Sequence, residues 1–265
     1  MPIARRVTLS TWVEHLQSRG RYTFTRPEVE AGSGQSPIAA QSALRRLRRQ
    51  GRIVSPRRGF HVVVPAEYRA AGSPPASWFV DDLMRHLGQP YYVSLLSAAA
   101  LHGAAHQQPM VFQVVTATPT RAVHTGRVTI GFWMAGNAEQ MPATELQTET
   151  GIMRVATPET VAFDLVRYPS GAGQLSNAAT VLAELAERLD PKALVGIAPL
   201  VRLPDVQRLG YLLDAVGEHR RTGLLAGWLG ARGHRVVPLR RGVATGTEVD
   251  TRWKVAVNVE LELDL

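Results

Sequence analysis

Cysteine is absent from the 265 residues of the chain. Disulfide bonds, thiolate catalysis and cysteine-ligated zinc or iron–sulfur sites are therefore excluded. Long apolar runs are also missing, since none reaches the roughly 18 residues that a membrane-spanning helix needs. The first residues carry two arginines, Arg5 and Arg6, but no apolar segment follows them as in a signal peptide. These absences predict a soluble, unexported protein of the cytoplasm with no membrane partner.

Acidic residues are scarce in the first 70 residues. There, 4 Glu and no Asp accompany 13 Arg, which gives a net charge of +9. The remaining 195 residues contain 17 basic and 18 acidic groups and are close to neutral. The basicity of the chain therefore belongs to one N-terminal module, and such a module favours a polyanionic partner.

Helix signals divide the basic module into three helices. The first is predicted over Thr8–Gln17, where apolar residues recur at helical spacing. The second begins at Thr25, which forms a capping box with Glu28 three residues later, has Pro27 in its first turn and ends at Gly32. The third is capped by Ser36, has Pro37 in its first position and stops at Gly51.

A basic hairpin follows the third helix. Two β-branched runs, 52–55 and 60–64, are separated by a turn of Pro56, Arg57, Arg58 and Gly59. Three helices followed by such a hairpin are typical of a winged helix-turn-helix, whose natural partner is double-stranded DNA. The sequence therefore predicts DNA binding by the third helix and the wing.

The arginines of the module fall into expected roles once the third helix is oriented. With Leu44 at the centre of the buried face, Ser42, Arg46 and Arg49 lie opposite and are expected to read base edges. The wing arginines are expected at phosphates or the minor groove, and Arg48 at a phosphate or packed by its stem. A solvated helix face gives a similar charge run, but the density of arginine here favours DNA. The residues predicted to contact DNA are Gln35, Ser36, Ser42, Arg45, Arg46, Arg48, Arg49, Arg57 and Arg58.

The chain beyond the basic module has a different character. Residues 71–77 are rich in Pro, Gly, Ser and Ala and are predicted to be a linker between a DNA-binding domain, 1–70, and a second domain, 78–265. The second domain mixes helical and strand patterns without a regular βαβ alternation. The predicted fold class is α+β, with an N-terminal winged helix-turn-helix and a larger mixed α+β C-terminal domain.

Three segments of the second domain carry a resemblance to a known family. Residues 91–109 read YYVSLLSAAALHGAAHQQP, residues 156–160 and 163–169 read ATPET and FDLVRYP, and residues 208–214 read RLGYLLD. They resemble the C-terminal domain of AbiEi-type antitoxins of type IV abortive-infection toxin–antitoxin systems, and the first segment is the most specific. The resemblance implies a repressor that binds inverted repeats of its own operon, as a possible homodimer, and counteracts a nucleotidyltransferase-like toxin.

Two alternatives to this reading stay open. A nuclease or nucleotidyltransferase-like enzyme would need metal ligands, for which Glu260, Glu262 and Asp264 on a predicted last strand are candidates, as are His102 and His106. An exposed sheet face and a helix-capping role explain these residues more simply, because no lysine follows the acids and Gly103 separates the histidines. The other alternative is a transcription factor whose C-terminal domain senses a small molecule. No catalytic residue, metal or cofactor is predicted.

Overall fold

The computed structural model describes residues 8–104, 109–244 and 248–262. Within residues 8–65, the N-terminal module contains three α-helices and three strands. They are, in chain order, α1 (Leu9–Ser18), β1 (Thr23–Thr25), α2 (Arg26–Ser33), α3 (Pro37–Arg49), β2 (Ile53–Arg57) and β3 (Phe60–Val63).

Side-chain caps fix where these helices begin. The Thr8 hydroxyl accepts from the Thr11 amide at the start of α1, and Ser36 accepts from the Ala39 amide at the start of α3. Glu28 accepts from the Thr25 amide at 2.7 Å and completes the capping box of α2. Gly34, with φ of +62°, ends α2 in the left-handed conformation that glycine adopts without strain. The predicted capping residues are confirmed, and α2 ends one residue beyond Gly32.

The three strands form one antiparallel sheet in the order β1-β3-β2. Strand β3 is central: Phe24 lies opposite His61, and Ile53 lies opposite Val63. The short β1 was not foreseen, because three residues are too few for a periodic signal. The order of helices and strands agrees with the winged-helix prediction.

The hydrophobic core of the N-terminal module is small. The three-stranded sheet of the module contributes residues to this core and to a second, larger one. Buried residues of the helices, among them Leu9, Val29 and Leu47, pack with Phe24 and Ile53. On the other side, Phe60 and Val62 of β3 belong to the large core of the rest of the chain. The wing sheet is therefore sandwiched between the helices and the C-terminal domain.

The predicted linker is packed against its surroundings. Ser73 and Ala76 are buried, and the amide of Arg127 donates to the carbonyl oxygen of Ala71 at 2.8 Å. Gly72 lies so close to Gly126 that a Cβ on Gly126 would come within 2.8 Å of the Gly72 Cα. Residues 71–77 therefore lie in fixed contact with the C-terminal domain.

The C-terminal domain is a mixed sheet covered by helices. Its regular elements are α4 (Val80–Leu87), β4 (Tyr91–Val93), α5 (Leu95–Leu101), β5 (Phe112–Thr116), β6 (Val123–Thr125), β7 (Val128–Met134), β8 (Ala143–Thr148), β9 (Gly151–Ala156), α6 (Pro158–Arg167), α7 (Gln174–Leu185), α8 (Pro191–Ile197), α9 (Leu203–Ala215), α10 (His219–Gly230), β10 (Val237–Pro238), β11 (Glu248–Asp250) and β12 (Val255–Val257).

Six of these strands form the main sheet, in the order β6-β7-β5-β4-β9-β8. The pairs β5–β7 and β4–β9 are parallel and the others antiparallel. A smaller sheet has the order β10-β12-β11. This architecture confirms the mixed α+β fold class. No helix among the described residues combines the length and apolar character needed to cross a membrane.

The last predicted strand is much shorter than its alternating pattern suggested. β12 ends at Val257, and Asn258 instead turns its side chain to the Arg240 backbone, with the amide nitrogen 2.9 Å from the carbonyl oxygen. Glu260 and Glu262 therefore do not lie on a strand face, and Asp264 lies outside the described residues. The proposed row of three carboxylates on one strand was wrong for the residues that the structure describes.

Candidate nucleic-acid interface

A cationic groove of about 940 Å³ lies between α3 and the wing. Its walls are α3 and the hairpin, and the beginning of α2 and one side chain of α4 close its ends. No acidic side chain is among the described residues that line it. The lining residues are Arg26, Pro27, Ala40, Gln41, Leu44, Arg45, Arg48, Ser55, Pro56, Arg57, Arg58, Gly59, His61 and His86.

The arginines of α3 and one arginine of the wing are unpaired. Within the described part of the chain, their guanidinium groups make no hydrogen bond or ion pair, and all are exposed. Like charges three or four residues apart on a helix repel each other, and this cost is not offset by internal partners. An external anion is the natural partner for such a set. The unpaired residues are Arg45, Arg46, Arg48, Arg49 and Arg58.

Other arginines of the same module are held by carboxylates. Arg21 pairs with Glu28 at 2.6 Å, Arg26 with Glu30 at 2.9 Å, and Arg52 with Glu14 at 2.8 Å. The pairs of Arg21 and Arg52 join neighbouring elements of the module, and that of Arg26 lies within α2. The net charge of the predicted DNA-binding face therefore depends chiefly on α3.

The orientation of α3 differs from the one assumed from the sequence. Its buried residues are Ala40, Ala43 and Leu47, whereas Leu44 is only half-buried at the edge of the groove. The sequence analysis placed Leu44 at the centre of the buried face, and that assumption was wrong. At about 3.6 residues per turn, the centre of the buried face therefore lies about 70° around the helix axis from Leu44, away from the wing.

The turn of α3 changes which residues face the wing. Arg45 and Arg48 line the groove together with Gln41, whereas Arg46 and Arg49 do not. Arg48, expected at a phosphate or packed by its stem, is exposed beside the hairpin. Ser42 and Arg49 are exposed outside the groove, and so is Ile38 near the start of α3, which is 79% exposed.

The two residues predicted in the turn before α3 have local roles. Ser36 is exposed, and its hydroxyl accepts from the Ala39 amide as the cap of α3. Gln35 is half-buried and takes part in an interaction within the chain. Both stand beside the N-terminus of α3, where backbone amides point outward.

The two wing arginines, adjacent in sequence, have different surroundings. Arg57 donates to the carbonyl oxygens of Arg121 and Ala122, the latter at 3.3 Å, so it joins the wing to the C-terminal domain. Burial and the charge of Arg121 lower the pKa of Arg57. Arg58 is exposed and unpaired. Of the pair, Arg58 is therefore the one whose guanidinium is available to a ligand.

Two histidines line the groove and were not foreseen. His61 is 8% exposed, stacks on Phe24 with ring centroids 5.1 Å apart, and lies 2.8 Å from the Ser55 hydroxyl through Nδ1. Burial, with the charges of Arg48 and His86, lowers the pKa of His61 to about 4. His86 Nε2 lies 3.2 Å from the Arg58 carbonyl oxygen. His61 therefore lines the groove as a neutral side chain near pH 7.

Sequence reasoning had no signal for some of these positions. His86 belongs to α4, beyond the predicted linker, and reaches the groove only through the packing of the two domains. If Ala40, Ala43 and Leu47 had been taken as the buried face of α3, the sequence would have predicted that Gln41 faces the wing. His102, weighed as a metal ligand, lies 2.7 Å from the Ala156 carbonyl oxygen through Nε2, and His106 lies outside the described residues.

Two family models match the chain at separate positions. The model for "Transcriptional regulator, AbiEi antitoxin" matches residues 13–64, the helices and wing of the N-terminal module. The module is thus of the transcriptional-regulator class. The model for the AbiEi antitoxin C-terminal domain matches residues 92–215, so the two together cover about two thirds of the chain. The chain belongs to the AbiEi antitoxin family of toxin–antitoxin systems.

A solved structure shares the fold over nearly the whole chain. The crystal structure of the RV2827C protein from Mycobacterium tuberculosis superposes with a TM-score of 0.66 at 20% sequence identity, and covers 93% of this chain and 89% of that chain. Because the identity is low, this likeness concerns the fold alone. No curated protein sequence matches the chain.

Proposed function

We propose that this chain is a DNA-binding antitoxin that represses its own toxin–antitoxin operon through the groove between α3 and the wing. The observation that carries the proposal is the set of unpaired arginines on and beside that groove, with no acidic side chain in its described lining. Phosphates are the anions that such a surface meets along duplex DNA, and neutralising them releases counterions.

The groove assigns roles to the residues of α3. Arg45 and Arg48, on the wing side, are proposed to enter the major groove with Gln41, because arginine and glutamine form paired hydrogen bonds with guanine and adenine edges. Ile38, exposed near the start of the helix, is suited to a thymine methyl group. Arg46, Arg49 and Arg58 are proposed to contact phosphates on either side, with Ser42 beside them.

The amides around Ser36 and Gln35 are proposed to anchor a further phosphate. The N-terminus of a helix carries partial positive charge and outward N–H groups, which suit an anion. We also propose inverted repeats as the target and a homodimer on them, because a two-fold symmetric protein matches two half-sites. The match to the transcriptional-regulator model supports a regulatory target.

Binding to DNA from the region upstream of the chain's own reading frame tests the regulator half of the proposal. Full-length protein is titrated against a labelled upstream duplex and a scrambled duplex at several salt concentrations. The upstream duplex should bind more tightly, and raising salt from about 50 to 200 mM should weaken both by at least about tenfold. DNA affinity that does not change with salt concentration would contradict electrostatic binding by the groove. Equal affinity for the two duplexes would contradict operator recognition.

The antitoxin half is proposed to reside in the C-terminal domain and to act on a nucleotidyltransferase-like toxin. The match of the C-terminal family model over 92–215 supports this assignment. Co-expression with the neighbouring toxin gene, placed under an unrelated promoter, should restore growth. The variant Arg45→Gln/Arg48→Gln should restore it equally. If that variant folds but fails to rescue, DNA binding and antitoxicity are not divided as proposed.

A ligand-sensing role for the C-terminal domain stands as a second candidate. A separate small cavity in that domain favours it.

A further inference from the structure

A second cavity of about 200 Å³ lies in the C-terminal domain, far along the chain from the groove. It is bounded by the segment after α6, the beginning of α7, the side of α9 and the segment after β10. Its lining combines apolar side chains, Val166, Pro169, Leu175 and Leu239, with a smaller polar surface from Ser170, Gln174, Arg208, Arg240 and Arg241. No acidic side chain is among its described lining residues.

The arginines of this cavity exceed their internal counter-charge. Asp205, buried behind it, is shared by Arg202, Arg208 and Arg241, with Nε of Arg202 at 3.1 Å and Nη1 of Arg208 at 3.5 Å. Three cations on one carboxylate leave an excess of positive charge. Arg240 adds a further guanidinium, whose side chain makes no hydrogen bond or ion pair within the described residues. Mutual repulsion of this set would be relieved by a bound anion.

Arg208 is built into the fold in a fixed orientation. It is 4% exposed, and its Nε donates to the carbonyl oxygens of Pro238 at 2.9 Å and Leu239 at 3.1 Å. Burial and the neighbouring charge of Arg241 lower its pKa. A guanidinium held in this way loses little freedom when a ligand arrives.

The N-terminus of α7 adds to the positive potential of the cavity. Its first two residues, Gln174 and Leu175, line the cavity, and the capping position, Gly173, offers no side-chain oxygen to the first amides. Gln174 has φ of +78°, a left-handed conformation that a residue with a side chain adopts at a cost. The helix is 12 residues long, so its dipole is developed.

We propose that this cavity binds the phosphate group of a small phosphorylated ligand, held by Arg208, Arg240 and Arg241 with the Ser170 hydroxyl. Guanidinium groups recognise phosphate by paired, charge-assisted hydrogen bonds, and several of them together favour a multiply charged anion over a carboxylate. The volume accommodates a phosphate with a small substituent, so both inorganic phosphate and a phosphate ester are sources. This site is distinct from the proposed DNA groove and independent of the proposed DNA binding.

Calorimetric titration of the full-length protein at constant ionic strength tests the proposal. The probes are inorganic phosphate, glycerol phosphate and, as a monovalent control, acetate. The informative variant is Arg240→Gln, because that side chain is exposed and unpaired and its loss should leave the fold intact. Arg220→Gln, exposed on α10 outside the cavity, removes the same charge as a control, and Arg45→Gln/Arg48→Gln reports on any phosphate bound in the DNA groove.

Phosphate should bind more tightly than acetate, and Arg240→Gln should weaken it about tenfold, as the loss of one charge-assisted contact implies. Arg220→Gln and Arg45→Gln/Arg48→Gln should bind it as the unaltered protein does. The tighter of the two phosphate probes identifies the source. Unchanged binding by Arg240→Gln, equal loss in Arg220→Gln, or loss confined to Arg45→Gln/Arg48→Gln would each overturn the proposal.

Discussion

The arginines of α3 and those around Asp205 use the same side chain in opposite ways. On α3 the guanidinium groups are exposed and have no internal partner, whereas Arg208 is buried and shares Asp205 with two others. A buried charge needs a partner, because leaving water costs several kcal/mol. An exposed cluster has no such need, yet its members repel each other, at about 0.2–0.5 kcal/mol for each close pair on a helix.

Charge density alone therefore does not identify a binding surface. Arg208 and Arg241 pair with Asp205, and this pairing stabilises the fold and fixes the position of the C-terminal cavity. Guanidinium groups without an internal partner, on α3 and at Arg240, repel their neighbours until an anion binds. Local choices that conflict with stability are expected at functional sites.

Asp205→Asn should lower the free energy of unfolding by about 3–5 kcal/mol, because it leaves three arginines around a buried position without a carboxylate. Urea unfolding at pH 7 measures it. Glu30→Gln, which breaks the exposed pair with Arg26, should cost under about 1 kcal/mol. Equal effects in the two variants would show that the C-terminal arginines are not held as described.

Arg45→Gln/Arg48→Gln should weaken binding to the upstream duplex by about 100-fold, at about 1–3 kcal/mol per lost contact. The free energy of unfolding should stay the same or rise by a few tenths of a kcal/mol, since repulsion is removed. The matched control is Arg19→Gln/Arg69→Gln, which removes two exposed arginines of the same module outside the groove. If the control weakens binding equally, the effect is one of net charge and the groove has no special role.

His61 should make the protein sensitive to acid. Its pKa is lowered to about 4 from an ordinary value near 6.5, so below pH 6.5 the unfolded chain binds the proton first and stability falls until about pH 4. The loss between pH 7.5 and 4.5 should be on the order of 2 kcal/mol and absent from His61→Gln.

Asp164 titrates with the opposite sign in an overlapping range. Its burial raises its pKa to about 6, so its contribution to stability increases as pH falls from 6 towards 4. The contribution of His61 is therefore measured as the difference in free energy of unfolding between His61→Gln and the unaltered protein at each pH. His15→Gln, which changes an exposed histidine of α1, is the control. A difference that does not change with pH would mean that His61 titrates as an exposed histidine does.

The adjacent wing arginines should respond differently to the same substitution. Arg57→Gln removes donors to the carbonyl oxygens of Arg121 and Ala122 and should lower the free energy of unfolding by about 1 kcal/mol. Arg58→Gln should leave stability unchanged and weaken DNA binding several-fold, as expected for one phosphate contact. Thermal unfolding and DNA titration of both variants provide the test, and identical behaviour would contradict the division.

Much of the N-terminal module follows from local chemistry. Capping residues such as Ser36 and Thr25 act within one turn of their helices, and a turn of proline and glycine defines the hairpin without any distant contact. The short strands β1 and β4 were not foreseen, because they depend on pairing with residues far along the chain. The break after Val257 has a similar cause, since Asn258 bonds to Arg240.

The candidate site was predicted in composition but not in orientation. The predicted arginines are where the sequence put them, on α3 and the hairpin, yet the helix faces the wing with Arg45 and Arg48. Alanine and leucine lie on several sides of α3, so the elements packed against this helix determine which side is buried. No pattern within residues 36–51 distinguishes Leu44 from Leu47 as the core position. Contacts from α4, such as His86, required the complete fold.

The packing of the wing against the C-terminal domain bears on how such a chain can be divided. Phe60 and Val62 lie in the large core, and Thr23 donates to Asp82 across the boundary. A cut at residues 71–77 would thus strip apolar cover from both pieces, and a graft of the N-terminal module onto a foreign partner would lack its support. From this arrangement we expect the two halves to be inherited as a single unit. We also expect substitutions at their shared face to compensate one another.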